Sequence, residues 1–315
     1  MDEDFGELER AASASRLEVK VGASYGSQSM VDPLRTVLVR RPDEAFAHAD
    51  PKIWGYTGRP DLIAARTEHA ALVEMLRSSG AEVWYHEEPQ EARADAIFVH
   101  DPVLVTDRGA IVLRMGKELR RGEEASIADS LTKRGVPILG TLRSPATAEG
   151  GDLLWINHDR LAVGQGFRTN AEGLRQLKAL LKPLGVRTEP VPLPFHTGPA
   201  GCLHLMSLIS LVDDDLAVVY PRLLPVPFWQ RLQADGFDFI DVPDADFDRM
   251  APNVLAVAPR DCIILEGNPI TQRWLEEAGC RVRTYRGNEI SRKAEGGATC
   301  LTRPVLRAGR TNADT

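Results

Sequence analysis

Glu149 and Asp152 bracket a glycine pair in Ala148-Glu149-Gly150-Gly151-Asp152-Leu153-Leu154-Trp155, at the mouth of an apolar strand. Glycine carries no Cβ, so the chain can turn tightly between the two carboxylates. Asn157-His158-Asp159 reads as a turn and Leu161-Ala162-Val163 as the return strand. Arg168 stands at its exit, before a helix capped by Thr169 or Asn170 and lined by Leu174, Leu177, Leu180 and Leu181 at helical spacing. Two acids at a strand entrance and an arginine at the exit describe a polar site. Cys300, after Gly296-Gly297, and His204, in Cys202-Leu203-His204-Leu205, could add a nucleophile and an acid/base. Taken singly, Cys300 reads as a core thiol and His204 as a bonded core histidine. Their place in a repeat decides otherwise.

That repeat is a hairpin, a helix and a strand. Hairpin 97–113 turns at Asp107-Arg108-Gly109 and leads to helix 123–134 and strand 136–139. Segments 153–163, 171–181 and 186–191 form the second unit; 203–219, 227–234 and 237–242 the third; 254–265, 270–278 and 281–285 the fourth. The last strand, 299–306, can pair with strand 34–39 and share helix 61–79 and strand 82–85, giving a fifth. Five strand-strand-helix-strand units whose ends meet predict an α/β ring with the helices outside, a five-fold pseudosymmetric α/β propeller. A doubly wound sheet would alternate single strands with helices, and the repeated hairpins oppose it. At or near the start of the first strand of successive units stand Asp95 and Asp101, Glu149, His204 and Cys300. Equivalent positions of a ring converge on its axis, which turns isolated residues into one candidate site.

The flanks carry less. Residues 1–30 lack periodicity and are expected to form a mobile N-terminal extension, residues 31–307 one catalytic domain, and residues 308–315 a tail. Segment 46–60, with Phe46, Trp54 and Tyr56, reads either as a lid over a site or as a surface loop pinned by Trp54. A net charge of −7 disfavours nucleic acid. No apolar run approaches the roughly 20 residues of a membrane span, and the acidic N-terminus is unlike a signal peptide. Cys202, Cys262, Cys280 and Cys300 show no metal or disulfide spacing, so a reduced, cytoplasmic protein is expected. Asp213-Asp214-Asp215 fits a solvated turn, and Gly164-x-Gly166 does not fit a dinucleotide site.

Six strings occur in one order: Asp95-Ala-Ile-Phe-Val-His-Asp101, Arg120-Arg121-Gly122-Glu123, Glu149-Gly-Gly-Asp152, Arg168-Thr-Asn-Ala-Glu-Gly173, Cys202-Leu-His204-Leu and Gly296-Gly-Ala-Thr-Cys300. From about residue 33 to 305 the chain resembles the guanidine-modifying enzyme superfamily, and within it the dimethylarginine dimethylaminohydrolases. The resemblance implies the five-fold α/β propeller and a C–N hydrolase converting Nω-methylated L-arginine to L-citrulline and an amine. It implies Cys300 as nucleophile, His204 as proton donor and acceptor, and Glu149 as its orienting carboxylate or a guanidinium ligand. It also implies Asp101 on the guanidinium, Asp95 on the substrate's α-amino group, and Arg120 and Arg168 on its carboxylate. No metal or organic cofactor is implied; the partner is a small guanidino amino acid, and a homodimer stays open. The pattern breaks at His100, where the family commonly has an acid, and at Met206, where it often has lysine. An arginine deiminase, an amidinotransferase and a non-catalytic binding propeller are the other readings.

Overall fold

The computed structural model describes residues 24–90, 92–199 and 201–308. Its described residues form a mixed α/β fold of five three-stranded sheets. In each, the middle strand pairs antiparallel with one neighbour through a hairpin or, once, across the chain ends, and parallel with the other across a helix. Strands Val103–Thr106, Gly109–Val112 and Ile138–Thr141 form one sheet, with helix Glu123–Thr132 in the crossover. Leu153–Asn157, Arg160–Gln165 and Arg187–Pro192 repeat it around helix Ala171–Leu181. Ile209–Leu211, Leu216–Val219 and Asp238–Asp241 follow with helix Val226–Ala234, then Leu255–Ala258, Asp261–Leu265 and Arg281–Tyr285 with helix Pro269–Glu277. The remaining sheet joins Leu34–Val39 to Glu82–Tyr85 across helix Leu62–Ser78, and to Arg303–Arg307 from the far end of the chain.

Side-chain pattern and caps explain these elements. Leu177 and Leu181 bury one stripe of their helix against Leu153, Leu161 and Val163, and Asn170 caps it by accepting from Gly173 N at 2.8 Å. Ile127 and Leu131 pack likewise on Val103 and Ala110. Asp61 caps the first long helix through Ala64 N at 2.8 Å, and Leu72 and Leu76 meet Val37 and Val39.

Three expectations change. Residues 24–30, assigned to a mobile extension, are packed wherever polar side chains find distant partners. Gly26 N donates to Val305 O at 2.8 Å, and the buried Gln28 bonds Asp107 N at 3.0 Å and His158 O at 2.6 Å. Residues 1–23 and 309–315 lie outside the described residues. Segments 97–102, 203–208 and 299–302, expected as strand, are turns that precede it. Their apolar residues, Leu203 apart, are buried irrespective of alternation, so a short run does not separate turn from strand. The 46–60 segment forms two one-turn helices, Glu44–Ala47 and Pro51–Trp54, capped by Asp43 and Asp50.

Candidate active site

Each sheet is entered through a turn whose backbone is not committed to a strand ladder, and the candidate residues stand in these turns. Asp95 lies in the 3-10 turn Ala94–Ile97, Glu149 and His204 immediately precede the turns Gly150–Asp152 and Leu205–Ser207, and Cys300 precedes Arg303–Arg307. The turns surround one cavity of about 610 Å3, within the usual range for a small-molecule site. Asp95, Asp101, Arg120, Arg168, His204 and Cys300 all line it, with Trp54, Lys117, Cys202, Met250 and Asn253.

Glu149 lies behind this wall, with no exposed surface. Its Oε2 is 2.7 Å from His204 Nε2, its Oε1 accepts from Lys117 N at 2.9 Å, and Arg168 Nη1 approaches Oε2 at 3.3 Å. Burial would raise its carboxyl pKa, but the His204 bond and the charges of His204 and Arg168 hold it below the usual range. A Cβ at Gly151 would fall 2.4 Å from His204 Nδ1, so the glycine admits the ring against the backbone. Asp152 is a support: Thr169 Oγ1 donates to it at 2.6 Å and Leu205 N at 2.9 Å, which fixes the His204 turn.

His204 Nδ1 is left toward the cavity, 3.7 Å from Cys202 Sγ. Burial would lower its pKa. Cys202, Asp152 and the Glu149 bond act against burial, and the ring is held protonated well above the ordinary histidine range. Glu149 is the enclosed formal charge in direct contact with the ring, at 2.7 Å.

Cys300 Sγ accepts from Asn253 Nδ2 at 3.3 Å. Burial and the Asp101 charge push its thiol up to about 11, while His204 and the Gly297 N–H pull it down. A cation entering beside Asp101 would lower it further. Asp101 accepts from Gly151 N on Oδ1 at 2.9 Å and from Arg120 Nη1 on Oδ2 at 2.6 Å.

One expectation for an individual residue changes. Arg120, assigned to the substrate carboxylate, is 3% exposed and already committed: its Nε and Nη2 bind Glu123, Nη2 also binds Phe98 O, and Nη1 binds Asp101. That is four of a guanidinium's five N–H donors, so Arg120 is a strut of the wall. Arg168 is bound more loosely, by Glu149 and by Gly201 O at 3.4 Å, and keeps donors for a ligand. His100 does not face the cavity; its ring lies against Thr302 O and Arg303, and burial with the Arg303 charge lowers it to about 3. The 46–60 segment supplies cavity wall through Trp54, Gly55 and Thr57, and Tyr56 donates to Asp95 Oδ1 at 2.8 Å.

Sequence reasoning passed over Asn253 and Lys117. Asn253 occupies the same place in the fourth unit that His204 and Cys300 occupy in theirs, so the repeat itself could have named it. Lys117 pairs with Asp95 at 2.6 Å, a contact across 22 positions that no spacing rule announces. Among the described residues no group of three or more His, Cys, Asp or Glu is placed to hold a metal ion, and no helix is long and apolar enough to cross a membrane.

The pattern of the family described as N,N dimethylarginine dimethylhydrolase, eukaryotic, matches residues 60–307. The chain belongs to this family. It is a hydrolase of the guanidine-modifying class. The N(G),N(G)-dimethylarginine dimethylaminohydrolase (DDAH) of Pseudomonas aeruginosa is 30% identical over 266 residues, covering 84% of this chain and 97% of that one. The Streptomyces coelicolor enzyme of the same name is 33% identical over 210 residues, covering 62% and 76%. A solved cysteine-to-serine mutant of the P. aeruginosa DDAH, complexed with citrulline, superposes with a TM-score of 0.71 at 26% identity, covering 86% of this chain and 98% of that one. An amidinotransferase from Microseira wollei, 15% identical with a TM-score of 0.75 and coverage of 91% and 98%, shares the fold.

Proposed function

We propose that the chain hydrolyses the methylated guanidinium of an arginine-like amino acid, Nω-methylated L-arginine in the first instance, to L-citrulline and methylamine or dimethylamine. The observation that carries this is the His204–Glu149 contact of 2.7 Å beside the cavity that Cys300 and Asp101 share. We also propose that the five sheets close into a five-fold propeller; the pairing of the first and last strands and the convergence of four of the five entry turns on one cavity, with the fifth directly behind its wall, support it.

The guanidinium lies on Asp101, with its carbon over Cys300 Sγ. Its charge offsets Asp101 and lowers the thiol pKa, the proton passes to solvent, and the thiolate adds to the carbon. One C–N π pair moves onto nitrogen. Protonated His204 gives the proton on Nδ1 to the methylated nitrogen, and the C–N bond breaks to release the amine. Cys300 then carries an S-linked amidino group and His204 is neutral. His204 takes a proton from water as the oxygen adds, and collapse of the adduct returns the thiolate and the ureido product as the hydroxyl proton passes through solvent to the released amine. Glu149 holds the ring so that Nδ1 faces the reacting atoms throughout. Four free cysteines support a reducing, cytoplasmic setting for a thiol enzyme.

The test supplies asymmetric dimethylarginine, monomethylarginine and arginine separately. Citrulline with dimethylamine or methylamine is expected to form fastest. Ammonia from arginine as the fastest release would make the activity a deiminase, and citrulline from none of the three would refute the proposal.

A further inference from the structure

Cys300 is anionic at two points of the reaction, when it attacks and when it is expelled, and its surroundings differ between them. At the attack, the guanidinium on Asp101 favours the thiolate against the burial and the Asp101 charge that push the thiol up to about 11. At the expulsion, the carbon becomes that of a neutral ureido group, and the substrate's cation is gone. A thiolate is then left in an enclosed site beside Asp101. The second half of the reaction therefore needs stabilisation from the protein itself.

Asn253 is the residue placed to give it, buried in the turn before Leu255–Ala258. Its amide spans two consecutive residues of the turn that carries the thiol. Oδ1 accepts from Thr299 N at 3.0 Å, and Nδ2 donates to Cys300 Sγ at 3.3 Å. A backbone N–H can only donate, so the amide oxygen is kept on Thr299 and an N–H on the sulfur. The Gly297 N–H is a second donor to the same atom. A Cβ at Gly297 would fall 2.4 Å from Asn253 Cγ, so the missing side chain lets the turn lie against the amide. Two fixed, neutral donors thus meet one sulfur. They favour the anion over the thiol, need no reorganisation as charge appears, and stay in place when His204 gives its proton away.

We propose that Asn253 is a catalytic residue, its Nδ2–H donating to the Cys300 sulfur as the thiolate attacks and again as it leaves. This rests on the hydrolytic reading above and adds a group to it. No proton moves along this bond. On attack, a sulfur lone pair forms the S–C bond while the N–H holds the sulfur in place. On collapse, the C–S bond breaks and its electron pair returns to sulfur, where Asn253 and Gly297 meet the charge. Asn253 matters more in this second step, because no substrate cation assists there.

The test compares Asn253→Asp, which keeps the shape and the Thr299 bond but loses the donor, with Asn253→Ala, which loses donor and bulk together. Alkylation of Cys300 by iodoacetamide without substrate is read by mass on the peptide containing residue 300. At pH 8 it should be about threefold slower in Asn253→Ala and about tenfold slower in Asn253→Asp. With asymmetric dimethylarginine, kcat should fall in the same order, and the fraction of quenched enzyme carrying the amidino adduct should rise. A packing role predicts the reverse order, because aspartate fills the space and alanine does not. That reverse order, or one alkylation rate in all three proteins, overturns the proposal. A fall in kcat without more adduct overturns the role in expulsion. Slower alkylation of the variants in a protein that turns over no guanidine would refute hydrolysis and leave Asn253 as the donor to the sulfur. Where Asn253→Ala fails to fold, alkylation of Asn253→Asp decides alone: a rate equal to that of the unmodified protein overturns the proposal.

Discussion

Replacing Glu149 by glutamine keeps the shape of the side chain and removes its charge. The wild-type carboxylate accepts three N–H bonds, from His204 Nε2 at 2.7 Å, from Lys117 N at 2.9 Å and from Arg168 Nη1 at 3.3 Å. A carboxamide has one oxygen, so one of those donors must face its NH2 group, leaving a buried donor unpaired at a cost of about 1–3 kcal/mol. The larger effect is electrostatic. The two charges, spread over carboxylate and ring, are about 4 Å apart, and at an effective dielectric of about 20 their attraction is about 4 kcal/mol. That corresponds to roughly 3 pH units in the His204 titration. Because Glu149 raises the pKa of the His204 ring, its loss lowers it, and a smaller fraction of the ring is protonated at neutral and alkaline pH. The alkaline limb of kcat should move down by about 2–3 units, and kcat at neutral pH should fall by roughly 10²–10³, the usual share of a positioned proton donor. NMR titration of the His204 ring reads the same shift without turnover, and a melting curve separates it from a folding defect. A His204 titration that coincides in the two proteins would refute the pairing, whatever happened to the rate.

Four further outcomes follow from the same geometry. Cys300→Ser should lose three or more orders of magnitude in kcat, and the unmodified enzyme quenched during turnover should show an amidino adduct on the peptide containing residue 300; normal turnover by the variant would exclude covalent catalysis. Arg168→Lys should raise KM for a guanidine bearing a carboxylate far more than for one without it, since lysine cannot offer a planar fork; equal effects would make Arg168 structural. Asn253→Asp puts a carboxylate against Cys300 Sγ, so the pH for half-maximal alkylation of Cys300 should rise by about one unit, and an unmoved midpoint would show that the 3.3 Å contact is without influence. Burial pushes Glu123 up to about 7 against the pull of Arg120; protonating it removes negative charge from the Asp101–Arg120 cluster, so KM should rise as pH falls through 7, and Glu123→Gln should have the high KM at every pH.

Where local pattern decides the structure, it could be read from the chain. The helix Ala171–Leu181 begins at the asparagine that caps it and, of the leucines its spacing marks, buries Leu177 and Leu181 and half-buries Leu174 and Leu180, and strands Leu34–Val39 and Arg281–Tyr285 stand where alternation put them. Because helix and strand boundaries recur in the same order, five units could be counted and Cys300, His204 and Asp101 brought to one cavity. What could not be read were polar contacts between distant segments. Nothing in the spacing of Tyr56, Asp95 and Lys117 tells that three side chains up to 61 positions apart share a carboxylate. Nor does the pattern around Gln28 tell that a stretch without periodicity is held by Asp107 and His158. Arg120 is the instructive middle case. Glu123 stands three residues on, close enough in sequence to announce an ion pair, and the pair is what spends the arginine.

The displacement of the site residues from strands into entry turns has a physical reason. A residue within a ladder has its backbone pinned by the sheet and its side chain sent to one face or the other. In a turn before the first strand, backbone groups remain free to bond across units. Gly151 N reaches Asp101 and Leu205 N reaches Asp152 in this way, each across about 50 positions. The carboxylates that set the charge of the cavity thereby also tie one unit to the next. Asp101→Asn and Asp152→Asn should accordingly lower the melting temperature as well as activity, whereas Cys300→Ala, which removes only weak sulfur contacts to Asn253 Nδ2 and the Gly297 N–H, should leave it nearly unchanged.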